Sequence, residues 1–208
     1  DDEPPVPNPL WNARLNNYDR GDEFGFTNNF IAEWFATTDL RARAKFGVTK
    51  TTATAETRLS PLHTDFDSMS DTEKGSYEHS TTAVTKYEGD LSVTYGKLFR
   101  EVHMLNLVGG FNFSNTESTR NGYKAIGFTE DQFGAPSFAN GYPDGGKPSY
   151  SENTTRAASF YLNGGYAYDN RYLLDVNYRR DGASMFGSSH RFRDTWSVGI
   201  GSVSYTHL

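Results

Sequence analysis

The feature that most constrains the fold is a two-residue alternation running through residues 156–181, RAASFYLNGGYAYDNRYLLDVNYRRD. Successive side chains of a β-strand point to opposite faces, so the alternation predicts two strands around a short turn at residues 169–171. One predicted face is mostly polar. The other is almost wholly apolar and aromatic, and its members are Ala158, Phe160, Leu162, Gly164, Tyr166, Tyr168, Tyr172, Leu174, Val176 and Tyr178.

Tyrosine side chains crowd the ends of these two predicted strands, beside the turn. They are Tyr166, Tyr168 and Tyr172. A soluble half-buried sheet would show the alternation but would not normally show this crowding. A tyrosine ring is apolar while its hydroxyl stays hydrated, which suits a membrane–water interface. The stretch therefore favours strands that cross a membrane.

Similar alternation recurs along the chain and predicts about seven strands in all. Short connections alternate with long polar ones. The short connections fall near residues 36–39, 96–101 and 169–171. The long ones run about 53–81, 115–155 and 182–194. Short turns on one rim and long loops on the other are typical of an outer-membrane β-barrel, and seven strands are too few to close one.

The composition is consistent with a barrel wall. Of 208 residues, 36% are hydrophobic, 15% are aromatic and 20 are glycine, which is thin for a two-sheet core but enough for one apolar face. The sequence contains no run of 18 apolar residues, so no transmembrane helix is predicted. The start DDEPPVPNPL lacks the features of a signal peptide. The net charge of −6 argues against a nucleic-acid-binding protein.

Residues 178–201, YRRDGASMFGSSHRFRDTWSVGIG, resemble a signature of the SusC/RagA family of TonB-dependent outer-membrane transporters. That signature is a strand ending in RRDGSSRFG, a short loop, and a strand like PSVSLGW. The matching positions are Arg179, Arg180, Asp181, Gly182, Ser184, Phe186 and Gly187, followed by Ser197, Val198 and Gly199. The chain departs from the pattern at Met185, where a basic residue is usual, and nothing in it corresponds to a plug domain or a TonB box.

The resemblance implies an all-β fold, an antiparallel transmembrane β-barrel segment with about seven of roughly 22 strands. It also implies an outer-membrane importer of glycan fragments or peptides. The implied partners are a SusD-like surface lipoprotein, the TonB complex through regions absent from this sequence, and membrane lipid. We expect residues 1–201 to be a partial barrel and residues 202–208, SVSYTHL, to be a non-native tail.

Aromatic residues in the longest predicted loop are the candidate ligand contacts, because aromatic faces stack on sugar rings. They are Tyr123, Phe128, Phe133, Phe138 and Tyr142. Packing of these rings against neighbouring loops is the simpler alternative, and the sequence leaves both open.

No residue pattern supports a cofactor, a metal centre or catalysis. The loop segment His63 to Asp71 is rich in carboxylates but lacks the glycine and the distal glutamate of a calcium loop, so a solvated acidic surface is expected. The five histidines lie far apart, there is no cysteine, and no Ser-His-Asp set is present.

Three classes of function remain open from the sequence. Transport through a barrel is favoured. A soluble β-sandwich that binds carbohydrate through exposed aromatics is the alternative, and a structural or adhesin-type β-protein is the third. A requirement for detergent would separate the barrel from the other two, because the apolar face of a barrel wall has no partner sheet.

We predict that even-numbered residues from Ala158 to Tyr178 face lipid and that odd-numbered ones face the lumen, since a one-residue shift moves every side chain to the other face. Single cysteines placed in the intact parent protein in membranes test this. A water-soluble thiol reagent should reach positions Asp175 and Asn177 faster than Leu174 and Val176. The opposite order of reactivity would reverse the assignment.

Overall fold

Seven consecutive antiparallel strands form one sheet in the computed structural model, which describes residues 9–184 and 192–203. Each strand pairs with its neighbour in the chain, so the order across the sheet is β1 to β7. The strands are β1 (Tyr18–Phe35), β2 (Leu40–Leu59), β3 (Ser76–Phe99), β4 (His103–Ile126), β5 (Ser149–Tyr168), β6 (Tyr172–Ala183) and β7 (Phe192–Ser202). The predicted all-β class and the predicted number of strands are confirmed.

Helical structure in the described part of the chain is limited to three short segments. Helix α1 covers Pro9–Asn12, and 3-10 helices cover Thr64–Phe66 and Pro136–Phe138. None of the helices in the described residues has the length and apolar character needed to span a membrane.

The pairing of β5, β6 and β7 confirms that the even-numbered residues share a face. Val176 stands opposite Gly164 on one side and Val198 on the other. Leu174 likewise lies between Tyr166 and Ile200. Directly opposed residues of antiparallel strands point to the same face, so the apolar rows continue across all three strands.

Strands β3 and β4 each contain 24 residues, more than twice the 9–11 that a membrane crossing needs. The predicted long loops at 53–81 and 115–155 are therefore wrong in extent. The observed connections are shorter and cover residues 60–75 and 127–148. The added strand sequences, such as TTATAET in β2, lack large apolar side chains but are rich in threonine, which favours extended structure, and backbone pairing continues there.

Short turns join the other strand ends, at residues 36–39, 100–102 and 169–171. The predicted connection at 96–101 is shorter than expected, because β3 runs on to Phe99. Two turns use left-handed backbone at residues other than glycine. These are Arg100 (φ 49°), Glu101 (φ 64°), Asp169 (φ 51°) and Asn170 (φ 52°). Asp and Asn accept this conformation more readily than most residues, and tight hairpins require it.

The chain divides into two compact units. The first comprises Asp1–Gly25, Thr51–Val84 and Ser118–Asn153. It contains α1 and both connections 60–75 and 127–148. Its buried apolar side chains among the described residues are Phe66, Tyr77, Ala125 and Phe128.

The second unit comprises Phe26–Lys50, Thr85–Glu117 and Thr154–Leu208. It contains the three short turns and the whole of β6 and β7. Large apolar side chains on its strands stay exposed, and Ile200 retains 86% of its accessible surface.

The boundary predicted for the non-native tail falls inside a strand. Ser202 is the last residue of β7 and pairs with Tyr172, and the Val203 amide donates to the Arg171 carbonyl at 2.8 Å. Residues 204–208 lie outside the described residues, and for them the tail stays a prediction.

Gly127 offers a test of how the connection 127–148 is held. Its φ is +81°, and an added Cβ would collide with the Thr72 carbonyl oxygen and with Asn140. We expect Gly127→Ala to destabilise the connection by at least about 1–2 kcal/mol, the usual cost of left-handed backbone for an L-residue. Gly141→Ala is the matched control, because nothing lies within 4 Å of its added Cβ.

Hydrogen–deuterium exchange of the purified parent protein measures this effect. Amides of residues 127–148 should exchange faster in Gly127→Ala and at an unchanged rate in Gly141→Ala. Equal exchange in both variants would mean that the left-handed turn does not hold the connection.

Candidate functional site

A hydrogen-bonded network on the polar face of the second unit joins β4, β5 and β6. The buried Ser159 hydroxyl donates to Asn112 Oδ1 at 2.7 Å and lies 3.1 Å from Arg179 Nη2. Arg179 Nε in turn donates to both carboxylate oxygens of Asp181, at 2.8 and 2.9 Å. Arg179 and Asp181, two of the signature positions, therefore stabilise one another and tie three strands together.

Tyr161 lies next to this network, and its ring packs over Gly110 of β4. A side chain at Gly110 would collide with the Tyr161 ring, so only glycine leaves room for it. The Tyr161 hydroxyl lies 3.5 Å from Asp90 Oδ2 on β3. An aromatic ring thus lies against the β4 backbone on an otherwise polar surface.

The remaining polar face of β5 to β7 presents amides and hydroxyls. Asn163 stands opposite Asn177, and Asn177 Nδ2 donates to the Ser197 hydroxyl at 3.2 Å. One row further along, Asp175 lies between Gly165 and Gly199. Such a surface can exchange hydrogen bonds with a polar solute or with another polar segment of protein.

The signature residue Arg180 is on the opposite face, beside β7. Its guanidinium lies 5.0 Å from the centre of the Phe192 ring, and its Nε lies 3.7 Å from Asp194 Oδ1. Asp194 also accepts a hydrogen bond from the Tyr178 hydroxyl at 2.8 Å. The apolar face therefore ends here in a polar, aromatic border.

Two more signature residues close the end of β6. Gly182 pairs with Ala158 of β5. Ser184 exchanges two hydrogen bonds with the backbone of Arg156, donating from its amide at 2.8 Å and accepting at its hydroxyl at 2.9 Å. Phe186 and Gly187 lie outside the described residues.

Two of the five predicted ligand-contact aromatics pack within the first unit. Tyr123 is in β4, and its ring lies 6.0 Å from Tyr77 and 5.6 Å from His79. Phe128 keeps only 2% of its surface exposed and packs beside Gly75. Tyr123 thus packs against rings of β3, whereas Phe128 packs against the connection 60–75 and leaves no face open to a ligand.

The other three rings are exposed. Phe133, Phe138 and Tyr142 keep 43%, 53% and 49% of their surfaces accessible. Phe133 and Phe138 form a pair with ring centres 5.2 Å apart and planes at 32°. Their role in ligand contact stays a prediction, and the pair is the part of the predicted site that the fold leaves accessible.

A charged cluster around Glu56 on β2 lies outside the set of residues predicted from the sequence. Glu56 accepts hydrogen bonds from Arg20 Nε at 2.7 Å and from the Tyr77 hydroxyl at 2.9 Å. His79 Nδ1 lies 3.4 Å from the same carboxylate. The loop predicted over residues 53–81 hides this cluster, although ATAETRL alternates with the period of a strand.

Hydrogen bonds set the ionisation of this cluster. The Tyr77 hydroxyl first, and then Arg20, hold the pKa of Glu56 below its ordinary value of 4.5. Burial, followed by the hydrogen bond to Glu56, raises the pKa of Tyr77 well above its usual range. Glu56 is therefore an anion and Tyr77 a neutral donor at neutral pH.

The acidic loop segment is a local turn. The His63 imidazole accepts a hydrogen bond from the Asp65 amide at 3.2 Å, and the Asp71 carboxylate pairs with Lys74 at 2.8 Å. Phe66 is buried beneath the turn. Among the described residues, no three histidine or acidic side chains lie close enough together to share a metal ion.

Acid should loosen the Glu56 cluster. A carboxylate whose pKa is lowered by folding contributes stability that is complete above the unfolded pKa and is lost as the pH falls through the native pKa. We expect the protection factors of the amides around Tyr77, which correct for the intrinsic pH dependence of exchange, to fall below about pH 4.5 in the native protein. Glu56→Gln should remove this pH dependence, whereas Glu78→Gln, at an exposed neighbouring carboxylate, should keep it. An acid response unchanged in Glu56→Gln would assign it to another group.

No family model matches the chain. The chain is 24% identical to a TonB-dependent receptor of Formosa agariphila. The aligned region of 193 residues covers 90% of this chain and 19% of the receptor.

Solved structures give the same result for the fold. The RagAB peptide transporter superposes with a TM-score of 0.78 at 21% identity, over 89% of this chain and 20% of that one. The ferric preacinetobactin receptor BauA of Acinetobacter baumannii gives a TM-score of 0.54 at 13% identity, over 88% of this chain and 28% of that one. The chain thus spans about a fifth of the length of the Formosa receptor and of the RagAB chain. The resemblance predicted from residues 178–201 is confirmed at the level of fold: the chain folds like a segment of a TonB-dependent transporter barrel.

Proposed function

We propose that the chain is part of the barrel wall of an outer-membrane, TonB-dependent importer of the SusC/RagA type. The importer takes up peptides or glycan fragments together with a SusD-like surface lipoprotein. The TonB complex supplies the energy through regions outside this segment. Residues 1–201 form the wall in this proposal.

The observation that carries the proposal is a single sheet with two chemically different faces. In the second unit, one face exposes a continuous set of large apolar side chains. Its members on β5 to β7 are Phe160, Leu162, Leu174, Val176, Trp196, Val198 and Ile200. A patch of this kind on a water-soluble protein would drive association, whereas lipid covers it at no cost.

The polar face supports the same proposal. Its side chains satisfy one another through the Arg179, Asp181 and Ser159 contacts, so it is suited to contact with water. A soluble β-sandwich, the alternative, needs a second sheet to cover its apolar face, and the described residues form one sheet. This favours the barrel wall.

The substrate class rests on the exposed rings of the connection 127–148. Aromatic rings contact apolar side chains of peptides and the flat faces of sugar rings. The RagAB structure, whose fold the chain shares, is a peptide importer. Both observations support oligomeric solutes, and we propose peptides and glycan fragments as the two substrate classes to test.

Loss of the exposed ring pair should impair capture without affecting assembly. We expect Phe133→Ala/Phe138→Ala in the full-length transporter to reduce uptake of its oligomeric substrate by about tenfold, equivalent to about 1.4 kcal/mol of lost binding. Met69→Ala is the control, because Met69 is an exposed apolar residue of the other connection.

Uptake is measured in cells that depend on this transporter, with labelled peptide mixtures and labelled oligosaccharides in separate assays. Heat-dependent gel mobility reports barrel assembly, and co-purification reports the lipoprotein. Normal assembly with unchanged uptake and unchanged lipoprotein association would exclude the ring pair from the site. A soluble, cooperatively folding monomer in buffer would instead favour the sandwich.

A further inference from the structure

Three separate segments of the first unit meet at one junction, which we call the clamp and which consists of Asn16, Arg58 and Asp131. The Asn16 amide donates to Asp131 Oδ1 at 3.0 Å, and Asn16 Nδ2 donates to Asp131 Oδ2 at 2.6 Å. The clamp joins the segment before β1, the end of β2 and the connection 127–148. Residues far apart in sequence are thereby fixed to one another.

Arg58 is the centre of the clamp. Only 5% of its surface is exposed, and it donates from Nη1 to the Asn16 carbonyl at 2.9 Å and from Nη2 to the Asp131 carbonyl at 2.6 Å. A side chain at Gly134 would collide with the guanidinium, so the backbone of the connection lies directly over it. A planar fork of donors can hold two carbonyl oxygens at once, which a lysine cannot reproduce.

The segment before β1 is bonded to the end of β2 at further points. Asn17 Oδ1 accepts a hydrogen bond from the Ser60 amide at 2.7 Å, and Ser60 is fully buried. The indole of Trp11 donates to the Leu62 carbonyl at 2.9 Å. These hydrogen bonds hold the segment before β1, which carries Asn16 of the clamp, against the end of β2.

The base of the connection 127–148 is held independently of the clamp. The Phe128 amide donates to the Lys74 carbonyl at 2.8 Å, and Phe128 is buried. The Gly127 backbone lies against Thr72. Since residues 127 and 128 are fixed at the base and Asp131 at the clamp, the short stretch that leads to Phe133 has little freedom.

We propose that Arg58 is a positioning residue that fixes the connection 127–148 as a rigid rim, so that the Phe133–Phe138 pair is already in place before substrate arrives. This inference rests on the proposed function, in which that pair contacts substrate. In this proposal, substrate binds to a surface that is already formed, and the connection 127–148 does not close over it. Arg58 itself does not touch the substrate.

The first experiment compares variants of Arg58 in the full-length transporter. Arg58→Met, which removes both carbonyl contacts, should accelerate exchange of the amides of residues 129–140 and lower uptake at least about fivefold, with normal barrel assembly. Arg58→Lys, which keeps the charge and one donor group, should recover part of both. Arg14→Met is the control, since Arg14 is an exposed arginine of the segment before β1.

Unchanged exchange in Arg58→Met would overturn the inference. So would faster exchange with normal uptake, because the position of the connection would then be irrelevant to capture. The Phe133→Ala/Phe138→Ala variant separates the two levels of the proposal. If the ring variant loses uptake while Arg58→Met does not, the positioning role fails and the proposed function stands.

The second experiment replaces the clamp by a covalent link. The chain contains no cysteine, so Asn16→Cys/Asp131→Cys gives the segment a single thiol pair. Uptake by the unlinked variant should fall, and joining the two thiols with a short bifunctional reagent should restore it. A rigid rim tolerates the link, whereas a moving lid does not. Further loss of uptake on linking would overturn the inference.

Discussion

Backbone hydrogen bonds between consecutive strands determine both the order of the sheet and the side chains that share each face. Each strand pairs with the next along the chain, so position in the sequence fixes position in the sheet. Antiparallel register then fixes which side chains share a face, and a shift of one residue would exchange the two faces. The apolar rows at Leu174 and Val176 and the polar contacts of Arg179 follow from this register.

The signature residues gain a physical explanation from the fold. Arg179 and Asp181 are two positions apart on β6, so their side chains lie on the same face and can bond to each other. Ser159, opposite Asp181, completes the contact with β5. The intervening Arg180 points to the other face, where it meets Phe192 and Asp194. Three adjacent residues therefore stabilise both surfaces of the wall.

The first unit is organised differently, through side chains that bond to backbone atoms of distant segments. Arg58 and Asn17 satisfy carbonyl and amide groups that strand pairing does not reach. Buried polar groups need such partners, because an unpaired one is costly away from water. The connections 60–75 and 127–148 can therefore pack closely although they contain only short helical turns.

Sequence alone predicts the all-β class, the two faces of β5 to β7 and the short turn at residues 169–171, because period-2 alternation is a local property of the chain. It also identified the signature block. The extent of the threonine-rich strands is apparent from the three-dimensional structure, since these strands lack large apolar side chains and their pairing depends on neighbouring strands. The same is true of the loop aromatics: Phe128 is buried beside Gly75, a residue more than fifty positions away, while Phe133 is exposed. Contacts over such distances leave no periodic trace in the sequence.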